Sequence, residues 1–284
     1  MALHNMPQLG TMLMPGAGAY GDECIRLATV AAKQVRVEWD VAYGPDPYQQ
    51  LDIWLPEKPE GAPVLLFIHG GAFRNGHKEW IGAHAPTVTA AGAILVSPNY
   101  RLVPGVRIAD AIADCFDALA WVRQNIATRG GDPDRLLVGG HSAGAHLAGM
   151  LAVRQADLAA RGIPATALHA CLSVSGVFNA VLDELDADSI MRRFHAQYFA
   201  GPEEARAATL FTHLVGCPVP FHVAYGEHEP GDLLADNRRL VAATGATGRL
   251  LGMDVVAGAD HFAAHLACLD PHGPWLAKLR TLLA

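Results

Sequence analysis

The sequence predicts an α/β domain built on a mostly parallel central sheet of about eight strands, with helices on both faces. Three observations carry that prediction. Continuous apolar runs at 63–68 and 93–97 have the composition of parallel strands covered on both faces. Helical patterns stand between such runs, with apolar residues three or four apart, as in Ile108, Ile112, Phe116, Leu119 and Val122. A chain of 284 residues that is 51% hydrophobic can bury one large core. No repeat period or low-complexity linker marks a second unit, so 1–284 is read as a single domain.

Taken in order, 1–33 is an N-terminal segment, flexible or covering, rich in Gly, Met and Pro and helical from about Asp22. Gly16 to Gly21 spells G-x-G-x-x-G, but it follows Pro15 rather than an apolar strand. It is therefore read as a flexible turn and not as a dinucleotide site. Residues 35–39 and 50–54 alternate like half-exposed strands around a Gly44-Pro45-Asp46-Pro47 turn. Further strands are expected at 63–68, 93–97, 135–139, 168–174, 219–225 and 249–256. Helices are expected at 79–90, 108–127, 143–160, 232–243 and 262–282. Residues 177–216 form one long excursion between strands, read as a helical cap over the sheet's C-terminal edge and the natural wall of a substrate pocket.

The chemistry centres on Gly140-His141-Ser142-Ala143-Gly144, placed between the apolar run 136–138 and an Ala/Leu-rich helix start. A G-x-S-x-G in that context is a nucleophile elbow: the serine hydroxyl is lifted clear of the sheet on a strained strand-to-helix turn. Gly140 and Gly144 flank the turn where side chains would meet neighbouring backbone. After the strand ending at Ile68 comes His69-Gly70-Gly71-Ala72-Phe73, an HGG loop of the kind that offers backbone donors to an oxyanion. The expected donors are the N–H groups of Gly71, Ala72 and Ala143. His69 and Gly70 support the loop, His69 by hydrogen bonding.

Serine needs a base within hydrogen-bond reach. Of 14 histidines, His261 stands in a loop after the last expected strand, which returns it to the edge where Ser142 lies. His265, four residues on, is its competitor. The two also make an H-x-x-x-H pair, but no intervening glutamate and no third ligand accompany it, so no metal is expected. In this chain order the orienting acid falls between serine and histidine. The loop Tyr225-Gly226-Glu227-His228-Glu229-Pro230 supplies two candidates, Glu227 and Glu229.

Composition narrows the partners. A formal charge of −7 argues against nucleic acid, which wants a basic stripe. No run reaches the ~18 apolar residues of a membrane span. Five cysteines, odd in number and without a C-x-x-C pair, fit a reducing compartment, and a cytoplasmic location is expected. No cofactor is called for.

On these residues the chain resembles the α/β-hydrolase superfamily, in the branch shared by hormone-sensitive-lipase-like carboxylesterases and kynurenine formamidases (arylformamidases). The resemblance spans about residue 45 to the end. It rests on His69-Gly70-Gly71, on 99–104 (Asn-Tyr-Arg-Leu-Val-Pro), on Asp114, Ala118 and Trp121, on 132–135 (Asp-Pro-Asp-Arg), on Gly140 to Gly144 and on Asp260-His261-Phe262. It implies an acid three residues after the glycine closing its strand, which is Glu229 counted from Gly226; the family usually has aspartate there. Phe73 stands where the formamidase group often has tryptophan. It also implies a serine hydrolase cleaving small carboxylic esters or aryl amides and formamides through Ser142, His261 and Glu229 and an acyl-enzyme. A homodimer stays open. The alternative of another class is a non-catalytic binding protein on the same fold.

Overall fold

The computed structural model describes residues 13–284; of the N-terminal segment, 1–12 lie outside the described residues. Eight strands form one sheet: β1 (Arg36–Ala42), β2 (Gln50–Leu55), β3 (Ala62–Ile68), β4 (Ile94–Pro98), β5 (Gly131–His141), β6 (Leu168–Val174), β7 (Phe221–Gly226) and β8 (Leu250–Val256). Their spatial order is β1-β2-β4-β3-β5-β6-β7-β8. β2 runs antiparallel to β1 and β4, and every other neighbour pair is parallel.

The helices of the described residues begin with α1 (Ala17–Ala31), α2 (Ala85–Ala90) and α3 (Ile108–Asn125). After β5 come α4 (Ala143–Val153) and α5 (Gln155–Ala160), then α6 (Ile190–Arg193), α7 (His195–Tyr198) and α8 (Pro202–Ala208) in the excursion between β6 and β7. The last are α9 (Gly231–Ala246), α10 (His261–Ala267) and α11 (Pro274–Leu283). Alternation along the strands divides the core in two. Val64, Leu66 and Ile68 of β3 face the helices α3 and α4, whereas Leu65 and Phe67 face α2 and α11. A strand buried on both sides must be apolar at every position, which is why β3 reads as an unbroken run.

Strand register sets up the site. Ile68 pairs with Gly140, Gly140 with Ser173, Val174 with Ala224 and Gly226 with Val256. The loops leaving β3, β5, β7 and β8 therefore open side by side at the C-terminal edge, where open α/β sheets bind ligands.

Four local expectations are corrected. Helix α1 begins at Ala17 rather than about Asp22, so only Gly16, at φ 83°, belongs to a turn. Gly21 lies inside the helix, where a Cβ would sit 3.0 Å from the Trp80 ring, so close packing explains a glycine that looked like a turn signal. The helix expected at 79–90 is a 3-10 turn, Lys78–His84, followed by α2 with Pro86 near its start. The helix expected at 143–160 breaks at Arg154. The helix expected at 262–282 splits into α10 and α11 around Pro271, Gly273 and Pro274, which remove amide donors or favour turns.

A buried charge cluster pins the 3-10 turn to the sheet edge. Lys78 is 1% exposed, and its ammonium lies 2.7 Å from both Asp40 and Asp52 and 2.8 Å from Glu79. Burial pushes the Asp52 carboxyl up to about 7, against the pull of Lys78. Burial draws the Lys78 ammonium down, but Asp52 and Glu79 more than offset it and hold it above the usual lysine range. Lys78→Met leaves these carboxylates buried without their cation, and is expected to cost about 3–5 kcal/mol in chemical denaturation. A loss under ~1 kcal/mol would mean that water reaches the cluster.

Candidate active site

Ser142 sits between β5 and α4 with φ 58° and ψ −121°, a left-handed strain that an ordinary turn would not retain. The flanking glycines make the strain sterically feasible. A Cβ on Gly140 would overlap the Gly144 backbone, and one on Gly144 would overlap the Ile68 carbonyl oxygen. The Ser142 amide is satisfied by the Val174 carbonyl at 2.9 Å, which ties the elbow to β6.

His261 opens α10, whose N-cap Asp260 accepts from the Phe262 and Ala263 amides and so fixes the start of the helix. Ser142 Oγ lies 2.9 Å from His261 Nε2, and His261 Nδ1 lies 2.7 Å from Glu229 Oε2. A carboxylate only accepts, so Nδ1 carries the proton, Nε2 presents its lone pair and Ser142 Oγ–H donates to it. Glu229 is 7% exposed, and its second oxygen accepts from the Gly226 amide at 3.2 Å. Burial raises its carboxyl, but the hydrogen bond and charge of His261 outweigh burial and hold it below the usual carboxylate range. Glu227 points elsewhere, accepting from the Gly258 amide at 2.8 Å. His265 does not reach Ser142, since its Nε2 meets His84 Nε2 at 2.9 Å. Among the described residues no cluster of potential ligands could hold a metal ion.

The HGG loop leaves β3 directly beside the elbow. A Cβ on Gly70 would come within 2.9 Å of the His141 carbonyl and 3.0 Å of Ser142 Cβ. Gly71, Ala72 and Phe73 all have positive φ, at 112°, 53° and 60°. That unusual run turns the backbone against the cavity that contains Ser142. Among the described residues no hydrogen bond takes the N–H of Gly71, Ala72 or Ala143. His69 closes onto its own loop, its Nδ1–H donating to the Gly70 carbonyl at 2.7 Å. It stacks on Tyr100, whose hydroxyl donates to the His69 carbonyl at 3.2 Å. Tyr198 of α7 donates to the Ala72 carbonyl at 2.9 Å, so the excursion between β6 and β7 grips the loop as well.

Sequence reasoning missed the polar chain behind His261. His141 Nε2 lies 3.0 Å from the His261 carbonyl, which can only accept, so Nε2 carries the His141 proton. Tyr20 OH, on α1, lies 3.3 Å from His141 Nδ1 and 2.9 Å from His265 Nδ1. One polarity satisfies every donor: Tyr20 donates to His141, His265 to Tyr20 and His84 to His265. It leaves only a lone pair on His84 Nδ1 without a partner. The reverse polarity would strand an N–H, the costlier orphan.

These histidines are buried as neutral rings, and that sets the acid stability of the protein. Burial lowers His69 and His84 to about 3 and His146 to about 4. Burial, with neighbouring histidines, takes His141 and His265 well below the ordinary value. Below pH ~6.5 the unfolded chain binds five protons that the fold refuses, so stability falls as pH falls. Asp52 opposes this, as does Asp236, raised to about 6 by burial. Their contribution is fully present below their unfolded values and is lost as pH rises through 6 to 7. Burial raises the Glu79 and Glu229 carboxyls, but His77 and Lys78 bring Glu79 down to about 2 and His261 holds Glu229 low. Both therefore act in the same sense as the histidines once pH falls through the ordinary carboxylate range. Stability is therefore expected to fall as pH drops below ~6.5 and to end in acid unfolding. A denaturation midpoint unchanged from pH 7 to pH 5 would show that these rings are protonated in the fold.

Residues 65–265 match a family model described as the alpha/beta hydrolase fold. The chain is 34% identical over 218 residues to Esterase LipQ of Mycobacterium tuberculosis, covering 72% of this chain and 52% of that protein. It is 32% identical over 251 residues to Carboxylesterase NlhH of Mycobacterium tuberculosis, covering 81% and 77%. It is also 35% identical over 132 residues to the isoprenylcysteine alpha-carbonyl methylesterase ICME of Arabidopsis thaliana, covering 46% of this chain and 30% of that protein. The chain thus spans about half of LipQ and less than a third of ICME. Among solved structures, the hyperthermophilic esterase from Pyrobaculum calidifontis superposes with a TM-score of 0.74 at 23% identity, over 93% of this chain and 89% of that one. The carboxylesterase EstE1, cloned from a metagenomic library, gives 0.74 at 22% identity, over 97% and 100%. At these identities the likeness is one of fold.

Proposed function

This chain belongs to the α/β-hydrolase fold family, and from that premise we propose that it is a serine carboxylesterase acting on small, largely apolar esters. The observation that carries the reading is the hydrogen-bonded run from Ser142 Oγ through His261 to Glu229 Oε2, at 2.9 and 2.7 Å. His261 takes the serine proton as Oγ attacks the ester carbonyl, and Glu229 stabilises the imidazolium that forms. The developing oxyanion is held by the N–H groups of Gly71, Ala72 and Ala143, each worth ~2.7–4 kcal/mol in the transition state. His261 then protonates the leaving alcohol. Water repeats the sequence on the acyl-enzyme and releases the acid.

The cavity over Ser142 measures about 280 Å³. That is just below the ~300–1,000 Å³ of small-molecule pockets, which favours short acyl chains. Its wall includes Tyr20, Phe73, Trp80, Met191, Tyr198 and Phe262, an apolar and aromatic lining. The matched relatives are esterases and methylesterases by name, which favours esters. The same atoms serve aryl amides and formamides, which therefore belong in the same substrate panel. No helix of the described residues is long and apolar enough to cross a membrane. All five cysteines are buried and unpaired, which supports a reducing, cytoplasmic setting.

A fluorophosphonate probe followed by a panel of p-nitrophenyl esters, aryl formamides and anilides tests the proposal. Labelling of Ser142 and turnover falling as the acyl chain lengthens are the expected results. Folded protein that takes no label would favour the non-catalytic binding protein instead.

A further inference from the structure

Beside the cavity over Ser142 lies a second one of about 680 Å³. The two adjoin, since Leu13 and Asn75 line both. Their charges are opposite in sense. The first has Asp188 and Asp232 in its wall and no lysine or arginine. The second presents Arg74, Arg101 and Arg193 against a single carboxylate, that of Asp46.

The three guanidiniums differ in how far they are neutralised. Arg101 is spoken for, with Nε 2.9 Å from Asp114 Oδ2 and Nη2 2.7 Å from Asp114 Oδ1. Arg74 donates to the neutral Gln197 side chain, and no hydrogen bond or ion pair to a carboxylate engages Arg74 or Arg193 among the described residues. Both pack on one ring, their guanidinium carbons 4.4 and 5.3 Å from the centre of Phe194. The two cations therefore stand within about 10 Å of each other, close enough to repel in physiological salt. In a chain of net charge −7, two arginines with no carboxylate partner among the described residues, both packed on the Phe194 ring in a cavity wall, are a departure from the surrounding surface.

We propose that the second cavity is a subsite for an oxyanion group, carboxylate or phosphate, carried by the same substrate whose ester faces Ser142. The inference rests on the hydrolase reading of the first cavity and names the substrate class for it: esters with an anionic arm. A guanidinium fork donates to two oxygens of a carboxylate or phosphate at once, which a solvated point charge does not match. The position along the chain links the two subsites. Ala72 and Phe73 line the first cavity and Arg74, the next residue, lines the second, so the HGG loop passes directly from one wall to the other. A cationic arm would meet repulsion in this cavity, and an uncharged arm would gain nothing from the two guanidiniums.

The test compares isosteres differing only in that charge. One series is the mono-p-nitrophenyl esters of dicarboxylic acids of rising length against their ω-carboxamides, with the anion on the acyl side. The other is the acetyl esters of hydroxybenzoates against hydroxybenzamides, with the anion on the alcohol side. At low salt the carboxylate member of one series is expected to exceed its carboxamide in kcat/KM by about tenfold or more. The ratio should shrink toward one at 1 M NaCl and fall within about threefold of one in R74Q/R193Q, while R193K retains most of it. Arg193 is exposed, so R193Q folds even where the double variant does not, and it alone is expected to cut the ratio at least threefold. A ratio near one in both series, or a preference unchanged in R193Q or in R74Q/R193Q, overturns the inference while leaving the hydrolase reading intact. Folded protein that turns over none of the carboxamides or carboxylates overturns both.

Discussion

Ser142→Ala is expected to lower kcat by about six orders of magnitude while changing the folding free energy by less than ~1 kcal/mol. The two halves of that expectation have separate causes. The side chain's hydrogen bond runs to His261 Nε2, at 2.9 Å, and alanine keeps every backbone contact of the elbow, including the amide bond to Val174. The positive φ of 58° is borne by alanine as by serine, so the strain is unchanged. Turnover, in contrast, loses the nucleophile, and only binding and the oxyanion donors remain, worth ~10³–10⁴ over water in comparable triads. Steady-state kinetics on a p-nitrophenyl ester, with burst titration to exclude wild-type contamination, measures it. Retention of more than about a thousandth of wild-type kcat would move the nucleophile elsewhere.

Much of the arrangement was legible because it is written in local patterns. Strands buried on both faces are dominated by apolar residues, so β3, unbroken, and β4 and β6, interrupted only by Ser97, His169 and Ser173, announce themselves. Gly140 and Gly144 are visible because only a missing Cβ lets the elbow lie against β3. What stayed hidden depends on contacts distant in sequence. Tyr20 touches His141 and His265 across separations of 121 and 245 residues, and nothing around Tyr20 encodes that meeting. The same holds for Tyr198, which grips the Ala72 carbonyl from a four-residue helix with no capping signal of its own. The start of α1 was misread because Gly18 and Gly21 look like turn residues, whereas Gly21 is a packing residue under Trp80. Of the two glutamates after β7, the loop pattern offered both and the family resemblance pointed to Glu229; the distance to Nδ1 separates them in space.

That separation gives the last expectation its sign. Glu229→Gln should lower kcat by about four orders of magnitude, and Glu227→Gln should stay within roughly tenfold of wild type. Besides the Ser175 hydroxyl, which can turn to donate or accept, two fixed donors face the Glu229 carboxylate: the Gly226 amide on Oε1 at 3.2 Å and His261 Nδ1–H on Oε2 at 2.7 Å. An introduced amide has one oxygen and one NH₂, and it cannot accept from both. The Gly226 N–H is fixed backbone and requires the oxygen, so the NH₂ is turned toward the imidazole. Nδ1 must then give up its proton, and the ring shifts to the tautomer with hydrogen on Nε2. In that form His261 cannot accept the Ser142 proton, and the positive charge that forms later has no carboxylate to stabilise it. Glu227 faces only the Gly258 amide, at 2.8 Å on the exposed rim, and a glutamine oxygen replaces that bond directly. The decisive comparison is kcat for the two variants on one ester, alongside matched denaturation midpoints. Equal, mild effects from both would remove Glu229 from the orienting role, and the inverse pattern would assign that role to Glu227.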